Sequence, residues 1–233
     1  MEVKILGTRG EIKLSAPRHS NHSGILVDGK LMFDFGEKKF LKNRPVAIFI
    51  THLHPDHAFF TRKHTASYPL HGALKEIKIF APEKHPNCPQ LEIAKRVEEI
   101  NGYRITSIPM VHSKHVKSNA YLIEKGGKRL LYTGDMIWIK KSYRRLLKNI
   151  DLVITDGSFL KNGGMVRRDK KTGQIFGHNG MPNLTKFFKK FTNRIVFVHF
   201  GSWFYKNKAA FAKLKKKVDI TVKLSCDGQK IRF

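Results

Sequence analysis

Thr51-His52-Leu53-His54-Pro55-Asp56-His57, THLHPDH, places three imidazoles and a carboxylate within seven residues. It follows the apolar run 46–50, VAIFI, which reads as a buried strand. His52 and His54 are two apart, so they project to the same side of an extended segment leaving Ile50. Pro55 stops the strand, and Asp56 and His57 then sit in the turn that opens a short helix expected at 58–61. Four ligand-type groups thus converge where a strand ends, a density that a solvated loop seldom reaches by chance.

The same design recurs downstream. Val111-His112-Ser113 follows the strand-like stretch 105–109, with a turn expected at Pro109. The run 130–132 leads into Thr133-Gly134-Asp135, and 195–198 ends on His199. Each puts one ligand-type residue at or just past a strand end. If those ends share one sheet edge, His52, His54, Asp56, His57, His112, Asp135 and His199 meet in one cavity. Seven ligands exceed the needs of a single four-coordinate zinc but suit two ions sharing a carboxylate. His115, three residues past His112, competes with it for the same role. His19, His22, His64, His71 and His85 read as structural or surface groups.

Composition allows such a site to be buried. With 233 residues, 41% hydrophobic and 11% aromatic, the chain is expected to fold as one domain, 1–233, around a sizeable core. Lys and Arg number 45 against 18 Asp and Glu, a formal charge of 45 − 18 = +27. That excess suits an anionic partner, nucleic acid or another phosphate-bearing substrate, although Lys-rich surfaces also arise simply as solvated faces. Cys88 and Cys226 form no CxxC pair, so neither a disulfide framework nor a thiolate zinc site is expected, and a reducing, cytoplasmic location fits. The N-terminal stretch 1–13 has charges inside its apolar run and no signal-peptide cleavage site. No apolar run reaches the roughly 18 residues of a membrane span, so no membrane partner is expected. Self-association as a homodimer stays open.

Strands are expected at 3–6, 24–27, 31–35, 46–50, 77–80, 104–108, 119–123, 129–132, 152–155 and 195–199, with further strand closing the chain to Phe233. Helices are expected at 89–100, where Leu91, Ile93, Ala94 and Val97 follow Pro89 at helical spacing, at 182–191 and at 209–218. Strands in series that later alternate with helices imply stacked sheets with helices outside, an α/β (α+β) architecture. The stretch 157–180, GSFLKNGGMVRRDKKTGQIFGHNG, reads as a long Gly- and charge-rich loop leading to His178. Loops of that length in compact domains are usually functional.

Together these features resemble the metallo-β-lactamase-fold hydrolases. The resemblance spans nearly the whole chain. It rests on LGTRG at 6–10, Asp34-Phe35-Gly36, HxHxDH at 52–57, the lone His112, the strand-borne Gly134-Asp135 and the final His199. It implies a four-layered αβ/βα sandwich with the site along one sheet edge. It also implies that His52, His54 and His112 bind a first metal and Asp56, His57 and His199 a second, with Asp135 bridging. The expected cofactors are two divalent ions, zinc or alternatively manganese or iron. Asp56 would in addition hold or deprotonate the attacking water. Two such ions lower the pKa of a water and polarise the scissile oxygen.

Position 135 narrows the chemistry. The commonest subclass of zinc β-lactamases carries Cys at that step, whereas Asp135 gives an all-oxygen-and-nitrogen site suited to esters, thioesters and phosphodiesters. Gly177-His178-Asn179 resembles the extra His, followed by a helix, of the tRNA 3′-processing endonuclease RNase Z and of cyclic-phosphate phosphodiesterases of phosphonate metabolism. That resemblance implies His178 as a general acid or phosphate contact; the plain alternative is a loop histidine. The RNase Z arm has no room, because only residues 113–134 separate His112 from Asp135 and strands take most of them. Lys140, Lys141, Arg144, Arg145 and Lys148, with Arg167, Arg168, Lys170 and Lys171, could line a nucleic-acid groove or simply be solvated. The expected function is a dinuclear phosphodiesterase or nuclease acting on RNA, DNA or a small cyclic phosphate. The alternative is a hydrolase of carboxylic substrates, a glyoxalase II-type thioesterase or a lactonase, with β-lactam cleavage at most promiscuous. Filled ligand positions argue against a non-catalytic nucleic-acid-binding relic.

Overall fold

The structure is a computed structural model and describes residues 1–62, 77–206 and 221–233. Alternation along the strands builds two sheets. The first contains β1 (Glu2–Gly7), β2 (Gly24–Val27), β3 (Leu31–Phe33), β4 (Ala47–Phe49), β5 (Lys78–Ala81) and β6 (Glu92–Ile93), and the closing strand β17 (Lys230–Arg232) pairs with β1. The second contains β8 (Tyr103–Val111), β9 (Asn119–Lys125), β10 (Lys128–Tyr132), β12 (Leu152–Asp156), β15 (Arg194–Val198) and β16 (Thr221–Leu224). The short strands β7 (Val97–Ile100) and β11 (Trp138–Ile139) share the outer edge of β8. A separate hairpin joins β13 (Met165–Arg168) to β14 (Ile175–His178).

Two-residue periodicity sorts the apolar side chains into layers. Leu130, Tyr132, Leu152, Ile154, Val196 and Val198 face the first sheet and pack with Val3, Ile25, Phe33 and Phe49. Their neighbours Leu131, Val153, Ile195 and Phe197 face the other way, onto α1 (Met181–Phe188) through Leu184 and Phe188. On the far side of the first sheet, Leu26, Met32, Ile48 and Ile79 pack with Phe40, Phe60 and Leu91. Three apolar seams therefore separate four layers, the expected αβ/βα sandwich. Helix α1 forms because Pro182 pre-sets its first turn and Met181, Leu184 and Phe188 fall on one buried face.

Strand direction decides where the site lies. β3, β4, β5 and β6 run parallel, as do β10, β12, β15 and β16. β8 is antiparallel to β9, which is antiparallel to β10, so β8 runs with β10. The carboxyl ends of β4, β8, β10, β12 and β15 consequently open on one edge of the sandwich, the place where open α/β sheets bind ligands.

Three expectations change. No helix forms at 89–100: Glu92–Ile93 pairs with β5 and Val97–Ile100 with β8, so this segment caps an edge of each sheet in turn. Ile93, placed on the apolar face by helical spacing, is 57% exposed. The backbone groups of two open sheet edges outweigh a weak local helix preference. Pro109 makes no turn. It lies within β8 where the outer edge passes from β7, last paired at Thr106, to β11, which starts at Met110, so its missing N–H costs no ladder bond. The stretch 157–180 is not a loop throughout, because β13 and β14 form an antiparallel hairpin within it. The short element expected at 58–61 is a 3-10 turn, Phe59–Thr61, and the helix expected at 209–218 lies outside the described residues.

Candidate metal centre

His52 and His54 leave the end of β4, and the chain turns through the backbone bonds from His57 and Ala58 N–H to the His54 carbonyl, which brings Asp56 and His57 back over the sheet edge. His112 follows β8, Asp135 follows β10 and His199 follows β15. All seven expected ligand residues meet there. His52, Asp56, His57, His112, Asp135 and His199 are buried and His54 is half-buried. His115 is exposed, whereas His112 is buried and stands with His52, His54 and Asp135. His22 is buried but bonds Glu37 (2.7 Å), and His19 packs on Phe200 and Phe204, both away from the cluster. His85 packs against Phe60. His64 and His71 lie outside the described residues.

Asp135 sits between two groups of imidazoles. Its Oδ2 lies 3.8 Å from His52 Nε2 and 3.7 Å from His112 Nε2, while its Oδ1 lies 3.2 Å from His57 Nε2 and 3.1 Å from His199 Nδ1. Oδ1 is nevertheless a buried atom with no hydrogen bond, because neither nitrogen presents its N–H in line. His52 Nε2 and His54 Nδ1 face one another at 2.9 Å. Donor atoms of His52, His54, His112 and Asp135 gather within 4.8 Å of one another, as do those of Asp56, His57 and His199. Such packing of lone-pair nitrogens around an unbonded carboxylate oxygen fits divalent cations, and the donor set of imidazoles and carboxylates suits zinc, manganese or iron.

Protonation tendencies agree in part. Burial and the neighbouring imidazoles push His52 well below the usual range, and burial brings His112 down to about 4, so both are poised as the neutral rings that metals bind. Burial opposes charge on Asp135, but His199, His57 and His178 outweigh it and hold the carboxyl at about 2. His57 and His199 go the other way. Burial is outweighed by Asp135 and the other carboxylates, which raise His57 well above its ordinary value and His199 to about 10. With protons alone to balance them, the carboxylates draw protons onto these rings; a cation would take that place.

The surrounding shell fixes the rings. Asp34 accepts from Thr51 N–H (2.7 Å) and from Tyr132 O–H (2.8 Å) and pairs with His57 Nδ1 (2.7 Å). His112 Nδ1 donates to the Gly177 carbonyl (2.9 Å), and Ser158 Oγ meets His199 Nδ1 (2.7 Å). Such partners orient ligands for a metal. Three hydrogen bonds under the site cross from one sheet to the other: Tyr132 O–H to Asp34, Tyr121 O–H to the Ile50 carbonyl (2.8 Å), and Asn119 N–H to the Thr51 carbonyl (2.9 Å). Two strained backbone positions lie here too. Asp34 and His199 hold φ of 61° and 57°, in the left-handed region that non-glycine residues rarely enter. At Gly134, φ 58°, a Cβ would come 2.5 Å from Thr51 Oγ1, so the turn that presents Asp135 requires glycine.

His178 joins the cluster from the hairpin. Its Nδ1 pairs with Asp156 Oδ2 (2.7 Å) and lies 3.8 Å from Asp135 Oδ2. Burial opposes a charge on His178, but Asp156 and Asp135 overcome it and raise its pKa. Asp156 is absent from the expected set, although it ends β12 as Asp135 follows β10. The rule that ligand-type residues at strand ends are functional applies to it equally. It also accepts from Ser158 N–H (2.8 Å) and Met136 N–H (3.2 Å), which keeps it fixed beside His178. The cavity in front of the cluster measures about 640 Å³, and its wall includes Ile12, Phe159, Leu160, Met165 and Trp203 with Glu11 and Lys161.

The family model for the β-lactamase superfamily domain matches residues 33–200, and the chain belongs to that family. The fold and site define the class as metallo-β-lactamase-fold, metal-dependent hydrolases. The metallo-β-lactamase fold protein YhfI of Bacillus subtilis superposes with a TM-score of 0.72 at 16% identity, covering 99% of this chain and 98% of that one. A diphosphatase of the PhnP family gives 0.66 at 16% identity, covering 100% and 97%. The short form of human tRNase Z gives 0.63 at 18% identity, covering 100% and 99%. No curated relative matches by sequence. Among the described residues no helix is long and apolar enough to cross a membrane.

Proposed function

We propose that the protein is a dinuclear metal-dependent phosphodiesterase of the cytoplasm. The observation that carries this reading is the His178–Asp156 pair, set 3.8 Å from the carboxylate that stands between the two groups of imidazoles. His52, His54 and His112 would hold one ion and Asp56, His57 and His199 the other, with Asp135 as the carboxylate shared between the two groups. Divalent ions held there, zinc foremost, supply a water of lowered pKa and a Lewis acid for a phosphoryl oxygen. The protein's own groups do the rest. Asp56, its carboxyl held well below the usual range because His57 and His199 outweigh its burial, stays ionised and would accept a hydrogen bond from the attacking water and orient it. His178, held in one orientation by Asp156, donates a proton to the departing alkoxide.

Fold relatives that include a diphosphatase and a tRNase Z support phosphate esters as the substrate class. Hydrolysis of carboxylic substrates would need the centre but has no use for a histidine locked to Asp156. The test is to purify the protein, measure metal by elemental analysis, and assay bis-p-nitrophenyl phosphate beside a thioester and a chromogenic cephalosporin. We expect close to two transition-metal equivalents per chain and turnover of the diester. Turnover confined to the thioester would transfer the assignment to the carboxylic class. A protein that takes up no metal on reconstitution would end both readings.

A further inference from the structure

The hairpin that carries His178 also carries a cluster of exposed cations, and its register determines which of them shares the cavity face. Met165 pairs with His178 and Arg167 with Phe176, so these four side chains share one face; Val166, Arg168 and Ile175 lie on the other. Met165 and His178 both line the cavity, and Arg167 therefore stands on the same face, about 7 Å further out at two residues of strand rise. Arg167 is exposed, and no hydrogen bond or ion pair is recorded for it among the described residues. Arg168 differs: it turns to the hairpin tip, where its guanidinium donates to the Gly173 carbonyl (3.0 Å).

The tip is kept from neutralising this face. Asp169, its only carboxylate, accepts from Lys114 Nζ (2.8 Å) and from the N–H groups of Lys171 and Thr172. Lys114 Nζ also lies 5.2 Å from the Phe176 ring centroid, so the Lys114–Asp169 ion pair, and not a free carboxylate, stands beside Arg167. The base of the hairpin is fastened to the centre, since Gly177 N–H donates to the His112 carbonyl (2.6 Å) while His112 Nδ1 donates to the Gly177 carbonyl. On the other side of His178, the cavity wall offers the Phe159 ring, 5.7 Å from the His178 ring, and Trp203, fixed by its Nε1–H bond to the Gly157 carbonyl (2.8 Å).

From this arrangement we infer that the substrate is a polynucleotide single strand, with one nucleoside in the aromatic cavity and the adjoining phosphate bound by Arg167 on the hairpin face. The inference rests on the phosphodiesterase reading and specifies its substrate. Aromatic walls receive any base by stacking, and a guanidinium beyond the scissile position has a purpose only if a further phosphate follows. A small cyclic phosphate seated at the centre would leave Arg167 without a partner. The formal charge of +27 supplies the long-range attraction but no track; register supplies the track.

Binding of a fluorescent phosphorothioate oligonucleotide, chosen to resist hydrolysis, should be followed across a salt series for the metal-loaded wild type, Arg167→Ala, Arg167→Lys and Arg168→Ala. Arg167→Ala should bind about tenfold more weakly, the scale of one lost charge-assisted contact. It should also lower the log–log salt slope by about 0.7, the release expected for one single-strand phosphate contact. Arg167→Lys should restore the slope, and Arg168→Ala should change affinity less than twofold. Turnover of bis-p-nitrophenyl phosphate should be unchanged in Arg168→Ala. Equal losses from Arg167→Ala and Arg168→Ala would mean a diffuse field and overturn the track, as would no loss from either. Should the wild type bind the oligonucleotide through Arg167 yet leave the small diester intact, the hydrolytic reading falls while the track stands. Diester turnover together with oligonucleotide binding that does not depend on Arg167 gives the reverse.

Discussion

Asp135→Ala is expected to empty both halves of the centre and to lower diester turnover by about 10⁴-fold or more, at about 1.4 kcal/mol per decade of the several kcal/mol that bound metal contributes. The reason is geometric. One oxygen faces His52 and His112 while the other faces His57 and His199, so a single truncation removes a ligand from each ion. His54→Ala, by contrast, removes a donor from one group only and should leave the second ion bound. Elemental analysis of the two variants separates them, with fold checked by circular dichroism. An Asp135→Ala protein that kept both ions would mean that the two groups are independent sites and that the carboxylate does not bridge.

The second large effect lies at His178. His178→Ala should keep both ions and the fold yet lose about 10²–10⁴-fold in rate on diesters with poor leaving groups, the usual range for general acid catalysis. Esters of p-nitrophenol should be affected far less, because p-nitrophenolate departs without a proton. Asp156→Asn should follow the same leaving-group pattern at smaller amplitude, since it loosens the ring without deleting it. Donor atoms of Asp135, Asp156, His178 and His199 also lie within 4.8 Å of one another, so the metal content of the His178→Ala protein is the decisive control. Loss of an ion there would make His178 a ligand. Unchanged rate and unchanged metal would leave it without a catalytic role and favour carboxylic substrates.

Much of the site can be read from the chain because its information is local. THLHPDH needs only strand geometry and a proline stop to bring its groups together, and His112, Asp135 and His199 each sit just past an apolar run. The parts that escape such reading depend on partners distant in sequence. Val97–Ile100 becomes strand because β8 offers it an edge, against the helical spacing of Leu91, Ile93 and Ala94. Met165–Arg168 looks like a polar loop until Ile175–His178 pairs with it, and only that pairing tells Arg167 from Arg168. Asp156 follows the same strand-end pattern as Asp135, but its role emerges only when the hairpin delivers His178 to it. Pro109 misleads for a related reason: whether a proline ends a strand depends on which neighbour occupies its N–H side.

Each group of donors draws from both halves of the sandwich. His52, His54, Asp56 and His57 come from the edge of the first sheet, and His112, Asp135 and His199 from the edge of the second, above three hydrogen bonds that already join them. An ion seated in either group therefore acts as a crosslink between the sheets, and occupancy and cohesion become one thermodynamic quantity. Stripping the protein with a chelator should lower its melting temperature. Titrating zinc back should raise it without a plateau, because a ligand bound only to the folded chain adds about 2.7 kcal/mol at a hundred times its dissociation constant and keeps adding logarithmically. A melting temperature indifferent to the metal would mean that the apolar seam and these hydrogen bonds hold the sheets without it. If the crosslink holds, metal supply governs how long the folded chain survives as well as how fast it turns over.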